Sequence, residues 1–175
     1  LKCARSLTRP CNPAIFERPA MNTSTLTPRS ITVESTSAMQ FEASTTIHAS
    51  AETIFALYAD VAHWPSWDPD VKSASLQGRF ASGAVGEVKP HGGPKSAVHF
   101  VEVVNNKSVH SECKLPLGKM RFDYVLQASG GATQVTHRTT FSGPLAPLWG
   151  RLIGSGMKKS LPAALAGLKS KAEST

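Results

Sequence analysis

Near the C-terminus, Leu145, Leu148, Trp149, Leu152, Ile153, Met157, Leu161, Ala164, Leu165 and Leu168 recur at intervals of three or four residues. Arg151, Ser155, Lys158, Lys159 and Lys169 fall on the opposite face, so the pattern predicts one long amphipathic helix. Pro144 and Pro147 fit its first turn, where backbone N–H groups have no intrahelical partner. Pro162 lies inside the pattern and predicts a mild kink. Such a helix needs an apolar surface to cover. Between Val71 and Phe141 the chain supplies one, in short alternating runs punctuated at Gly78, Gly83, Gly92-Gly93-Pro94, Asn105-Asn106, Gly118 and Gly130-Gly131. Runs of this kind make an antiparallel meander, and the fold class that follows is α+β, a sheet with a helix packed on it.

Upstream, Met39, Phe41 and Ala43 alternate with Gln40, Glu42 and Ser44, a strand signal. Ser50 is placed to cap a helix carrying Glu52 in its first turn and Ile54, Phe55, Leu57, Tyr58 and Val61 at helical spacing. Asp60 is placed to cap a second short helix ending around Pro65. Residues 1–38 read differently, with Arg5, Arg9, Arg18 and Arg29, scattered prolines, many Ser and Thr, and only Glu17 and Glu34 as acids. No hydrophobic period persists there, and a flexible or disordered extension is expected. With Met21 and Met39 both available as starts, that stretch reads as an upstream or mis-started extension in preference to a transit peptide.

The 175 residues suit one domain plus this extension, and 41% hydrophobic content is enough for a sizeable core. The net charge of +7 is spread, with Lys158-Lys159 the densest pair and no basic run interleaved with aromatics, so no nucleic-acid partner is expected. The three cysteines, Cys3, Cys11 and Cys113, have neither disulfide-framework nor zinc-site spacing. No metal or cofactor is expected, and a reducing, cytoplasmic setting fits best. No apolar stretch approaches the roughly 18–20 residues that span a bilayer.

Sorting the strands by face gives the candidate site. In 108–115, Val109, Ser111, Cys113 and Leu115 point inward and His110 outward; in 120–128, Met120, Phe122, Tyr124 and Leu126 point inward and Asp123 outward. In 135–141, Val135, His137, Thr139 and Phe141 share a face. The 97–104 run is ambiguous: Glu102 makes His99, Val101 and Val103 the inner set, and Phe100 disagrees. Buried polar groups need partners or water. Several of them together on neighbouring strands point to a pocket with a few orienting groups. The candidate ligand-binding residues are therefore His99, Val101, Ser111, Cys113, Phe122, Tyr124, Val135, His137 and Thr139, with Leu152 and Met157 from the helix. Gly150, Gly154 and Gly156 cost the helix about 1 kcal/mol each relative to Ala and suggest close packing or movement at the pocket mouth.

Two segments carry a family resemblance. DVAHWPSWDPDV (Asp60–Val71) resembles the Asp-x-x-x-(Trp/Tyr)-Pro-x-Trp-x-Pro-x-Val signature of the SRPBCC (START/Bet v 1-like) superfamily. THRTTFSGPLAPLWGRLIG (Thr136–Gly154) is similar to the polyketide cyclase/dehydrase branch at its last strand and C-terminal helix. The resemblance spans about residues 39–172 and implies a helix-grip fold. In that fold a curved seven-stranded antiparallel sheet wraps around a long C-terminal helix, with two short helices after strand 1 and a cavity between sheet and helix. It also implies a small apolar ligand (a lipid, a polyketide or another aromatic metabolite) and a packing role for Trp64, Pro65, Trp67 and Asp68. The related plant abscisic-acid receptors close two loops over their hormone. The matching loops here, His91-Gly92-Gly93-Pro94-Lys95 and Leu115-Pro116-Leu117-Gly118-Lys119, lack the receptors' Ser-Gly-Leu-Pro-Ala and His-Arg-Leu sequences. Hormone perception is not expected; a mobile gate at 91–95 is.

For catalysis the best candidate pair is His137 with Tyr124, able on adjacent strands to polarise a carbonyl and relay a proton in a cyclisation or dehydration. No HExxH, Gly-x-Ser-x-Gly, Walker or dinucleotide motif is present. Two functions follow: a non-catalytic carrier or sensor of a small hydrophobic molecule, which is favoured, and a cyclase/dehydratase-like enzyme using the same pocket. Transient membrane contact by the basic helix face is a third idea. The expected assembly is a monomer or weak homodimer.

Overall fold

The structure, a computed structural model, describes residues 38–175; the expectations for the 1–37 stretch lie outside the described residues. The chain runs β1 (Met39–Ile47), α1 (Ala51–Ala59), a 3₁₀ segment (Val61–Ser66), β2 (Val71–Gln77), β3 (Val85–Pro90), β4 (Ser96–Val104), β5 (Ser108–Leu115), β6 (Gly118–Ser129), β7 (Ala132–Ser142), α2 (Ala146–Leu152) and α3 (Gly154–Glu173). The strands form one seven-stranded sheet in the order β1-β7-β6-β5-β4-β3-β2. Every neighbouring pair is antiparallel.

Local chemistry sets the boundaries. Thr53 N–H donates to Ser50 Oγ at 3.0 Å, which caps α1. Asp60 makes no capping bond to the 3₁₀ segment; its carboxylate instead holds His63 Nδ1 at 2.8 Å. Gly130 and Gly131, both at positive φ, turn β6 into β7, the backbone that a tight hairpin requires. The register shifts between Val71 and Ser73 on β2 and between Phe100 and Glu102 on β4. Such bulges bend and twist the sheet.

The concave face carries α3, packed chiefly on β1 and also on β7 and α1, while the 3₁₀ segment covers β2. Ile47, Ile54, Tyr58, Trp64, Trp67, Phe100, Val109, Val135, Leu165 and Leu168 form the buried core. Trp64 Nε1–H donates to Tyr58 O at 3.0 Å, so the tryptophan closes the end of α1. Among the described residues no helix is long and apolar enough to cross a membrane.

The C-terminal helix departs from expectation. It is two helices, broken at Ile153, and Pro162 lies inside an uninterrupted α3. The carbonyl that Pro162 leaves without a helical donor is that of Lys158, an exposed residue that water can reach. β1 comes close on both sides of the break. A side chain at Gly154 would overlap the Phe41 ring, and one at Gly150 would overlap Met39, so the glycines let β1 seat directly against the α2–α3 junction. Gly156 has open space around it.

Candidate functional site

Inward-facing residues line up in rows across the strands. One row runs Phe41, Thr139, Phe122, Ser111, Phe100; the next runs Ala43, His137, Tyr124, Val109, Val103. Ser111, Cys113, Val135, His137 and Thr139 are buried as expected, and Phe122, Tyr124 and Met157 are half-buried. His99 and Val101 are corrections. Both are exposed, Val101 at 55%, because the bulge after Phe100 adds a residue and resets the alternation. Val98, Phe100 and Val103 therefore face the core instead. Leu152 is likewise not in the site; at 64% exposure it faces solvent. The 91–95 turn joins β3 to β4 and is tied down by His91 N–H to Asp70 O (2.9 Å), Lys89 Nζ to Gly93 O (2.8 Å) and the Lys95–Glu87 ion pair.

His137 and Tyr124 are direct cross-strand partners, with ring centroids 4.3 Å apart. The residue that sequence reasoning missed as polar is Tyr58 of α1. Its hydroxyl shares a 2.8 Å hydrogen bond with His137 Nε2, and its ring stacks on Tyr124 at 5.2 Å. By spacing alone Tyr58 belongs to an apolar helical stripe. A hydroxyl-bearing ring on an inward stripe, in a chain with an inward His, was the available signal. Thr139 Oγ1 and Trp67 Nε1 are buried and form no hydrogen bond among the described residues.

Burial governs the electrostatics. It lowers the His137 pKa to about 3, so the imidazole is neutral. It raises Tyr58 well above the usual phenol range, with Tyr124 adding to the effect, and raises Tyr124 too, helped by the charges of Asp68 and Cys113. The Cys113 thiol is pushed up to about 11, which makes it inert as a nucleophile. Asp68 is raised to about 6 by burial, partly opposed by the Asp70 N–H donated to Oδ1 at 3.0 Å. A carboxyl whose folded pKa lies above its unfolded value destabilises the fold once pH exceeds the unfolded value. Asp68→Asn, which keeps an oxygen for Asp70 N–H, should therefore stabilise the protein by about 1–2 kcal/mol at pH 7. The gain should vanish below pH 4; urea midpoints at the two pH values check it.

Two outward residues are less exposed than their direction suggests. His110 and Asp123 sit on the convex face yet are largely buried, with Asp123 Oδ1 held by His110 Nδ1 at 2.5 Å and by Arg121 Nε at 2.6 Å. A depression of about 450 Å³ lies at the rim near Gly118 and Gly143, but His99, Glu112, Lys114 and Lys119 line it. Its wall, which includes Cys113, is mostly apolar, but the charged Glu112, Lys114 and Lys119 around it suit an apolar molecule poorly. The concave face suits it better: Met120, Phe122 and Tyr124 remain partly exposed although β6 has a strand on either side. Tyr58 of α1 covers Tyr124 and His137, so the part left partly open is at Met120 and Phe122, beside Thr139.

Residues 38–173 match the sequence profile of the family described as polyketide cyclase / dehydrase and lipid transport. The chain belongs to this family. Solved structures agree on the fold of this polyketide cyclase / dehydrase and lipid transport family member. The Zhui aromatase/cyclase from Streptomyces sp. R1128 superposes with a TM-score of 0.64 at 14% identity, covering 78% of this chain and 94% of that one. A START superfamily protein from Mycobacterium smegmatis gives 0.60 at 17% identity, covering 77% and 97%. Truncated norcoclaurine synthase from Thalictrum flavum gives 0.60 at 14% identity, covering 76% and 92%. At these identities the likeness is one of fold. No curated protein matches the chain by sequence.

Proposed function

We propose that this chain binds a small, largely apolar molecule on the concave face, as a carrier or sensor. The observation that carries this is the partly open stretch of the sheet at half-buried Met120 and Phe122, where Phe122 pairs across the strands with Thr139 and its buried, unpaired hydroxyl. Apolar burial supplies affinity at about 25 cal/mol per Å². Thr139 and the Tyr58–His137 pair offer neutral hydrogen bonds that orient one oxygen-bearing group. The chemistry leans away from catalysis: a buried imidazole with pKa near 3 is a weak base at neutral pH, and both inward tyrosines are held protonated. One observation favours an enzyme of the cyclase or dehydratase type, namely Asp68, whose carboxyl titrates near 6 and whose charge acts on Tyr124. With Cys113 a free thiol, we place the protein in the cytoplasm.

Fluorescence of 1-anilinonaphthalene-8-sulfonate with the full chain tests the reading. Saturable binding should be displaced by a planar phenol such as 2-naphthol. Thr139→Val should weaken the phenol by about tenfold, the worth of one hydrogen bond in an apolar site, and leave the dye nearly unaffected. Absence of saturable binding, or a phenol affinity indifferent to both Thr139→Val and Phe122→Trp, counts against it. Turnover of a poly-ketone substrate that Asp68→Asn abolishes would instead establish the enzyme.

A further inference from the structure

The concave face leaves unexplained a group of leucines at one end of the molecule. Leu117 tips the β5–β6 turn at 70% exposure, and Leu148 and Leu152, one turn apart on α2, are 47% and 64% exposed. Single exposed leucines are ordinary; these belong to two elements fastened together. Trp149 Nε1–H donates to Pro116 O at 3.0 Å, and Leu145 N–H donates to Leu117 O at 3.4 Å. Leu117 holds a left-handed backbone, φ 50°, that a leucine rarely adopts.

The charge beside them has one sign. From Tyr124 to Ala172 the chain carries no Asp or Glu. Arg151 on α2 and Lys158 and Lys159 on the first turns of α3 form no ion pair among the described residues. An apolar tip beside unpaired cations is the pattern of a surface that sits in the headgroup region of an anionic bilayer. On β5, the strand that leads into the Leu117 turn, the one acid is Glu112, and Lys119 pairs with it at 2.8 Å.

We infer that α2 and the β5–β6 turn together form a membrane-docking surface: Leu117, Leu148 and Leu152 enter the interface while Arg151, Lys158 and Lys159 meet anionic headgroups. This differs from a contact made by the basic helix face alone, since the leucines supply depth and the cations supply lipid selectivity. It does not rest on the ligand reading, because these side chains lie outside the concave face.

Flotation of the full chain with vesicles of phosphatidylcholine containing about 30 mol % phosphatidylserine tests it. Binding should exceed that to pure phosphatidylcholine and fall as salt rises. Leu117→Ser/Leu148→Ser/Leu152→Ser should reduce it by more than about tenfold, as should Arg151→Glu/Lys158→Glu/Lys159→Glu. Circular dichroism on both variants, which alter exposed side chains only, verifies that they are folded; Leu152→Ser alone, with a smaller loss, serves if the triple variant is not. Failure of the full chain to float overturns the inference, and so does flotation that the leucine substitutions leave intact. It is equally overturned if the leucines hold a dimer that Leu→Ser converts to monomer by light scattering.

Discussion

Gly167→Ala should cost the fold about 3 kcal/mol and lower the thermal midpoint by about 10 °C. A Cβ at Gly167 would fall inside the van der Waals envelope of the Trp67 carbonyl oxygen. That oxygen belongs to backbone with little room to yield. Trp67 is 5% exposed, its ring packs edge-on to Tyr58 at 6.0 Å, and its backbone N–H donates to Trp64 O. Either α3 lifts from the 3₁₀ segment or the Tyr58–Trp67 contact opens. Gly156, on the same helix but in open space, provides the opposite sign: Gly156→Ala should stabilise by up to about 1 kcal/mol. Calorimetry of the two variants decides the matter, and a shift in the same direction for both would refute the packing explanation.

Acid should weaken the protein through His137 well before most carboxylates titrate. The folded pKa, about 3, lies below the unfolded value of about 6.5, so between them the unfolded chain binds a proton that the folded chain refuses. Stability from this residue is complete above pH 6.5 and is lost as pH falls towards 3. The loss amounts to about 2 kcal/mol at pH 5 and about 5 kcal/mol at the limit. His137→Gln keeps a partner for the Tyr58 hydroxyl and does not titrate. The difference in urea-unfolding free energy between wild type and this variant should shrink by that amount from pH 7 to pH 5. A difference that stays constant across the window would mean that His137 is not held neutral.

Alternation made β5, β6 and β7 readable because each keeps a strict period of two, and the rows that place Ser111, Tyr124, His137 and Thr139 on one face follow from it. On β4 the same reasoning failed at one residue. A bulge leaves no local mark in SAVHFVEVV, and only the pairing of Phe100 with Ser111 and Val103 with Val109 reveals it. Pro162 predicted a mild kink within one helix and α3 does run through it, but the break at Ile153 had no local mark, because the contact of Phe41 with Gly154 beside it joins residues far apart in sequence. Distance also hid the centre of the site: Tyr58 and His137 are separated by 79 positions. Parity placed Asp123 on the convex side correctly but said nothing of its burial, which neighbouring strands decide through His110 and Arg121.

Strand β1 has a practical consequence for anyone attaching a reporter. Its first residue, Met39, lies under Gly150 beside the leucine tip, whereas at its other end Lys169 Nζ donates to Thr46 O (2.9 Å) and His48 N–H to Glu173 Oε1 (2.8 Å). The polypeptide thus enters this domain at the rim and leaves it at the opposite pole, about 27 Å away along a nine-residue strand. A dye or fusion on Thr175 leaves both the concave face and the leucines uncovered. A dye placed just before Met39 stands beside them, where its emission reports on what arrives there.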